Sequence, residues 1–383
     1  MKKTAVATAP AASQVKIPFF NVKRQYDALA EELRAAVCRV LDSGAYILGP
    51  EGRDFEAEYG RLLGSKHALG VSSGTAALRL ALKALGVGHG DDVVVPAMTF
   101  IATATAVSEV GARPVLADVD PRTMNVGAEQ LSAALTRKTK AVIPVHLYGG
   151  VADMGPIMKL AAAKGFRVVE DCAQAHLAVY QDRCVGTIGD IGAFSFYPTK
   201  NLGAAGDAGA VTTQDDGLAA TLVRLRNVGR PPTDSGKHEL VGYNSRLDEI
   251  QAAVLRIKLR RLQDWVDRRR KIASRYASEL AGLPLTLPEP GTGGTKHGFN
   301  LFVVRTPDRD RLMKHLAERG IGTGVYYPLP LHLIPAYRDL GYKEGGFPEA
   351  ERTVRTGLAL PVYPELTDDE VGAVAKAVRS FFK

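Results

Sequence analysis

From Tyr46 to Val211 the chain alternates short apolar runs with longer stretches whose apolar residues recur every three or four positions. The runs VVVPAMTF (93–100), PVLADVD (114–120), AVIPVHLYG (141–149), RVVEDCA (167–173), GAFSFYP (192–198) and GAVTT (209–213) read as strands. Between several of them lie alanine-rich amphipathic segments, such as Ile101 to Val110 and Met154 to Lys164, that read as helices. This alternation predicts an α/β domain with a mostly parallel sheet flanked by helices, and it puts function at the carboxyl ends of the strands.

After about Asn244 the pattern changes. A single long helical periodicity runs from Leu247 to Leu280, followed by a Gly/Pro-rich loop or boundary from Pro284 to Gly298. FNLFVVRT, a helix from Arg309 to Arg319, GIGTGVYYPLP and a last helix near Asp368 to Phe381 then suggest a smaller C-terminal α+β domain. The predicted division is a disordered tail at 1–15, a large domain at 16–255 whose first helix is a candidate for packing on the smaller one, and 256–383 for the long helix and small domain.

Composition narrows the function. The 383 residues carry 49 Lys and Arg against 41 Asp and Glu, a formal charge of +8, which suits an anionic small molecule as well as nucleic acid. No basic patch with interleaved aromatics favours nucleic acid. The densest basic run, LRIKLRRLQDWVDRRRK (255–271), has Leu255, Leu259, Leu262 and Val266 at helical spacing and reads as a solvated helix face. Cys38, Cys172 and Cys184 make an odd count without metal-ligand spacing, so free thiols, no metal and a reducing compartment are expected. The longest uncharged candidate for a membrane span, Val93 to Ser108, is too short and carries Pro96. No membrane partner is expected, and the N-terminus lacks the apolar core of a signal peptide, which makes the cytoplasm the default.

Four features carry candidate chemistry. Lys200, in FSFYPTKNLGAAGDAGAV (194–211), leaves an aromatic run and enters a glycine-rich turn. An amine lodged among apolar groups loses solvation and becomes a nucleophile for Schiff-base chemistry, although an ordinary strand-end lysine reads the same way. Ser72, Ser73, Gly74 and Thr75 precede a helix, as plain N-caps do and as phosphate sites do. Asp171 ends an apolar strand, where its carboxylate needs a partner: a protonated ring nitrogen, an arginine or a helix N-terminus. Phe100 is a stacking plate or a core residue. Together they are the anchor, plate, pyridinium partner and imine-forming amine that pyridoxal 5'-phosphate requires.

At this point the chain resembles the DegT family of nucleotide-sugar aminotransferases, within the aspartate-aminotransferase fold (fold type I). The resemblance runs from about Pro18 to the C-terminus through YILGPE, KHALGVSSGTAAL, PAMTFIATA, ADVDPRTMNV, PVHLYG, EDCAQAH, the Lys200 segment, GYNSRLDEIQAAVLR and GVYYPLPLH. It implies that Lys200 links covalently to the cofactor and shuttles the proton, that Asp171 holds the pyridinium and that Gln174 contacts the phenolic oxygen. Gly74, Thr75 and Ser195 would bind the phosphate, Phe100 would lie on the ring, and Asn244 would reach the phosphate from the neighbouring subunit of a homodimer. Tyr326, Tyr327 and His332 occupy a segment that lies near the sugar nucleotide in relatives, and Arg230 and Arg246 are candidates for the substrate diphosphate.

The implied reaction is ping-pong: L-glutamate leaves as 2-oxoglutarate, and a keto sugar on a nucleoside diphosphate takes up the amino group. KNLGAAGDAGAV with NSRLDEIQAAVLR resembles the enzymes acting at C3 more than those acting at C4. Two departures, Gly150 where many relatives have glutamine and Leu177 where glycine is usual, are expected to reshape the sugar pocket. The rivals are a regulatory protein that binds cofactor and sugar nucleotide without turnover, and a nucleic-acid binder.

Overall fold

Seven short segments assemble into one sheet in the computed structural model, which describes residues 16–233, 236–291 and 293–383; the tail expected at 1–15 lies outside the described residues. In chain order the strands are β1 (His67–Val71), β2 (Asp92–Pro96), β3 (Arg113–Ala117), β4 (Thr139–Val142), β5 (Arg167–Asp171), a separate hairpin of β6 (Val179–Tyr180) and β7 (Arg183–Cys184), β8 (Ile191–Ser195) and β9 (Gly209–Thr213). The sheet order is β1-β9-β8-β5-β4-β2-β3. Neighbours from β3 to β8 pair in parallel, and β9 runs antiparallel to both β8 and β1. The central strands are buried on both faces, as the uninterrupted Val93, Val94, Val95 and Val168, Val169 require.

The helices are α1 (Val22–Ser43), α2 (Pro50–Leu63), α3 (Gly74–Ala84), α4 (Ala102–Glu109), α5 (Ala128–Ala134), α6 (Met154–Lys164), α7 (Asp216–Arg226), α8 (Glu249–Leu259), α9 (Leu262–Glu279), α10 (Arg309–Ala317), α11 (Pro348–Thr356) and α12 (Asp368–Phe381). Strand β3 lies outward of β2 while β4 lies inward, so the winding direction reverses there and opens a crevice beyond the ends of β2, β4 and β5. A second apolar cluster joins Ile272 and Tyr276 of α9, with its C-cap Leu280, to α10, α12 and the antiparallel pair β10 (Phe302–Arg305) and β11 (Gly357–Leu360).

Three expectations need correction. The helical pattern from Leu247 to Leu280 is two helices, broken at Arg260 and Arg261. Leu255, Leu259, Leu262 and Val266 nevertheless pack in one cluster, so the apolar spacing passes through the break unseen. The basic run is not all solvated: Lys258 and Arg269 are buried and donate to the carbonyls of Gly203 and Val362, while Arg256 pairs with Glu51, Asp54 and Glu58. Strand β1 was absent from the expected strands, because HALGV has one β-branched residue and ends in the glycine-serine turn that looked like a helix start. Helix α1 packs Leu29, Leu33, Ala36 and Val40 against α8, and its first turn reaches the second cluster through Arg24, bonded to Glu370 at 2.8 and 2.7 Å.

Candidate active site

The crevice is a cavity of about 510 Å³ lined by Gly74, Thr75, Phe100, Asp171, Gln174, Ser195, Lys200, Tyr326 and Tyr327, together with Thr99, Thr103 and Asn300. Lys200 stands in the connection from β8 to β9, its backbone N–H closing a turn on the Tyr197 carbonyl at 2.8 Å. Among the described residues its amine has no hydrogen-bond partner. Lys200 is partly buried in the cavity wall, and the protein packed round it strips enough hydration to pull its pKa from 10.5 to about 8, against the attraction of Asp171.

Asp171 ends β5 at the cavity floor. It is 5% exposed, and burial raises its pKa; hydrogen bonds from the Ala173 N–H (3.1 Å, to Oδ1) and Thr103 Oγ1 (2.9 Å, to Oδ2) and the charge of Lys200 act the other way. A buried carboxylate with so few donors favours a cation beside it.

The third element is the start of α3. Ser73 caps the helix by accepting from the Ala76 N–H (3.1 Å), which leaves the Gly74 and Thr75 N–H groups at the positive end of the dipole without helical acceptors. A Cβ on Gly74 would lie 2.7 Å from Ser195 Cβ, and one on Gly209 would lie 2.5 Å from the Ser73 carbonyl, so only glycines let this helix end meet β8 and β9. Ser195 is fixed from behind by residues the sequence reading missed. Tyr59 donates its hydroxyl to His176 Nδ1 (2.9 Å), and His176 Nε2–H donates to the Ser195 carbonyl (2.9 Å). Burial pulls the His176 pKa down to about 4, which keeps the ring neutral and this tautomer in place.

On the opposite wall Phe100 is half-exposed, its ring centroid 5.6 Å from that of Tyr327. Gln174 accepts from the Tyr148 N–H (2.6 Å) and donates to the Tyr327 hydroxyl (3.0 Å), while Tyr148 donates its own hydroxyl to the Tyr326 carbonyl. Burial raises the pKa of Tyr327, so it is a neutral phenol.

Within one chain the structure does not bring four candidates to this cavity. Asn244 is exposed and bridges Asn227 through its backbone, and Arg246 donates to the Asn227 side chain (3.0 Å). Arg230 lines a separate cavity of about 390 Å³ with Arg53 and Arg226. His332 is buried against Glu351 (3.0 Å). Neither departure residue lines the cavity. Gly150 sits in a second groove beside His297 and Asn125, and Leu177 adopts φ +54°, a left-handed conformation that explains why glycine suits this position. The trio His146, Glu170 and Cys172 clusters at the end of β5, but the lone pairs of its histidine and carboxylate are spent: His146 accepts from the Ala152 N–H (3.1 Å) and donates to Glu170 (3.1 Å), whose oxygens also take the N–H groups of Gly186, Ile188 and Gly189.

A mostly parallel sheet with one reversed strand, and a lysine-bearing turn facing a strand-end aspartate, define the aspartate-aminotransferase fold. Residues 27–379 match the model of the DegT/DnrJ/EryC1/StrS aminotransferase family, and the chain belongs to that family. It is 48% identical to a dTDP-3-amino-3,4,6-trideoxy-alpha-D-glucose transaminase of Streptomyces venezuelae, covering 96% of each chain. It is also 43% identical to a Geobacillus stearothermophilus protein named "Pleiotropic regulatory protein", over 96% of this chain and 99% of that one. Among solved structures, S. venezuelae DesV in complex with a ketimine intermediate superposes with a TM-score of 0.93 at 47% identity, covering 96% of this chain and 98% of that one.

Proposed function

We propose that the protein is a pyridoxal 5'-phosphate-dependent aminotransferase that moves an amino group from L-glutamate to C3 of a keto sugar linked to a nucleoside diphosphate. The observation that carries this reading is the meeting, in one cavity, of an unpartnered lysine amine, a buried carboxylate short of a cation and a glycine-opened helix start. These donor types fit a phosphorylated pyridine. Gly74, Thr75 and Ser195 would hold its phosphate, Asp171 its ring nitrogen, Gln174 its phenolic oxygen and Phe100 its face. When bound, the cofactor supplies the electron sink for the charge that develops at the substrate carbon.

The chain supplies the rest. With a pKa near 8, Lys200 Nζ can both take and return a proton close to neutral pH, which is what a shuttle between two carbons requires. Phe100 and Tyr327 stand together in the cavity wall, and the phenol of Tyr327 stays protonated as a donor. The name of the S. venezuelae transaminase supports amination at C3 rather than C4.

The proposed assembly is a homodimer with shared sites. Asn244, Arg230 and Arg246 stand apart from the cavity of their own chain, and in this reading they serve the partner's phosphate and the substrate diphosphate, with Tyr326, Tyr327 and His332 on the sugar-nucleotide side. Domains at 16–255 and 256–383, joined through α8 and α9, are part of the same reading. No described helix is long and apolar enough to cross a membrane. The unpaired thiols of Cys38, Cys172 and Cys184 support a reducing compartment, and the proposed location is the cytoplasm.

One observation favours a second reading. The Geobacillus relative carries a regulatory name, consistent with binding cofactor and sugar nucleotide without turnover. A panel of keto-sugar nucleotides incubated with enzyme and glutamate, with products read by NMR, separates the two. A 3-amino sugar is the expected product, and binding without any aminated product would favour the regulator. Mixing Lys200→Ala with Asn244→Ala protomers tests the shared site: cofactor affinity should recover in sites that combine intact Lys200 with the intact Asn244 of the other subunit.

A further inference from the structure

In the wall of the cofactor cavity two hydroxyls form a buried chain that ends on Asp171. Thr99 Oγ1 lies 2.9 Å from Thr103 Oγ1, and Thr103 Oγ1 lies 2.9 Å from Asp171 Oδ2; the threonines are 3% and 1% exposed. An ionised carboxylate can only accept, so the Thr103 proton points at Asp171. The Thr103 oxygen must then accept from Thr99. Both hydrogens therefore point toward the charge, and each hydroxyl dipole stabilises it in surroundings that otherwise favour the neutral acid. Besides these and the Ala173 N–H, the groups facing the carboxylate are Lys200, His146, Cys172 and the Tyr327 phenol.

The chain's position adds to this. Thr99 follows β2, and Thr103 lies in the first turn of α4, its N–H bonded to the Phe100 carbonyl at 3.1 Å. One turn of backbone thus carries both the exposed Phe100 ring and the two buried hydroxyls. A shift of that turn moves the stacking face and the carboxylate's donor together.

We infer that Thr103, backed by Thr99, is a positioning residue of the cofactor site that keeps Asp171 ionised and aimed at the ring nitrogen before the cofactor arrives. This rests on the aminotransferase reading above. The simpler alternative is that the hydroxyls merely satisfy one another inside the core, and the two make different predictions.

The test compares wild type, Thr103→Val, Thr103→Ser, Thr99→Val and, as spectral reference, Asp171→Asn, all as full-length protein. Pyridoxal 5'-phosphate affinity is measured by titration of the apoprotein, the absorption spectrum of the bound cofactor is recorded, and the apoprotein melting temperature serves as control. Losing one hydrogen bond to a buried charge should weaken cofactor binding roughly 10- to 100-fold in Thr103→Val. Its spectrum should move toward that of Asp171→Asn. Thr103→Ser should restore affinity to within about threefold, and Thr99→Val should lose roughly two- to fivefold, because it removes only the backing donor. A merely structural role would lower melting temperature while leaving affinity and spectrum at wild-type values, and that result overturns the inference, as does failure of Thr103→Ser to improve on Thr103→Val. If the wild type itself takes up no cofactor, the reading of the site fails and the inference with it; wild-type uptake with an unchanged Thr103→Val defeats the inference alone.

Discussion

Gly74→Ala sets two effects of known sign against each other at the proposed phosphate cup. Gly74 is not among the residues with positive φ, so alanine fits the backbone and, in a helix interior, would gain up to about 1 kcal/mol. The new Cβ, however, falls 2.7 Å from Ser195 Cβ and 3.3 Å from Ser195 Cα and Oγ. Reaching ordinary contact at 3.4 Å needs a displacement of 3.4 − 2.7 = 0.7 Å. Ser195 cannot yield cheaply: it pairs with Gly209 across the sheet, and its carbonyl is held by His176, itself held by Tyr59. Overpacking of this kind costs about 1–3 kcal/mol, and because Gly74 is the first residue of α3 the helix gain is well below its interior value, so the net is a loss of about 1–3 kcal/mol. Urea denaturation of the apoprotein measures that loss. Affinities for pyridoxal 5'-phosphate and for unphosphorylated pyridoxal should then diverge, the first falling at least about tenfold and the second staying within about twofold, because the clash lies at the phosphate end. Equal loss for both ligands, or stability and affinity at wild-type values, would refute the reasoning.

Other outcomes follow from buried charges and strain. Lys200 has a folded pKa near 8 against 10.5 unfolded, so the unfolded chain binds more protons between those values and the lysine costs apoprotein stability below about pH 8; Lys200→Met should raise urea stability at pH 7 by about 1–3 kcal/mol, with the gain fading toward pH 10.5. His176 and His297, drawn down to about 4 and 3, remain neutral in the fold while the unfolded chain protonates near 6.5, so stability should fall steeply as pH drops from 6.5 toward 4, and denaturation midpoints across that range read the slope. Leu177→Gly relieves a left-handed leucine worth about 1–2 kcal/mol but empties a side chain whose truncation costs about 3–5, so calorimetry should show net destabilisation of about 1–4 kcal/mol.

What the sequence disclosed is what periodicity and local composition encode. The strand GAVTT and the helices at Met154–Lys164 and Asp368–Phe381 appear at their expected bounds, since local end signals mark them: Asp215 caps the helix that follows the strand, Gly165 ends the first helix and Thr367 caps the second. The break at Arg260 was invisible, because a helix can restart in phase and keep Leu262 and Val266 on the same face as Leu255 and Leu259. Lys200, Asp171, Gly74 and Phe100 were legible as types at strand ends and a helix start. Thr99, Thr103, Tyr59 and His176 were not, because their meaning lies in contacts across the fold, as with Tyr59 and His176, 117 residues apart in sequence. Glu170 is the sharpest case: it sits beside Asp171 in EDCAQAH, yet strand alternation turns it to the other face, where backbone N–H groups consume it.

The most direct test of the central claim is the half-reaction with L-glutamate on enzyme loaded with pyridoxal 5'-phosphate, followed by absorbance and by assay of 2-oxoglutarate. The wild type should convert its lysine-bound cofactor to the pyridoxamine form with one equivalent of 2-oxoglutarate released per site, and Lys200→Ala should retain cofactor noncovalently and release none. A wild type that holds its cofactor unchanged in glutamate, or a Lys200→Ala variant that still turns over, would contradict the account.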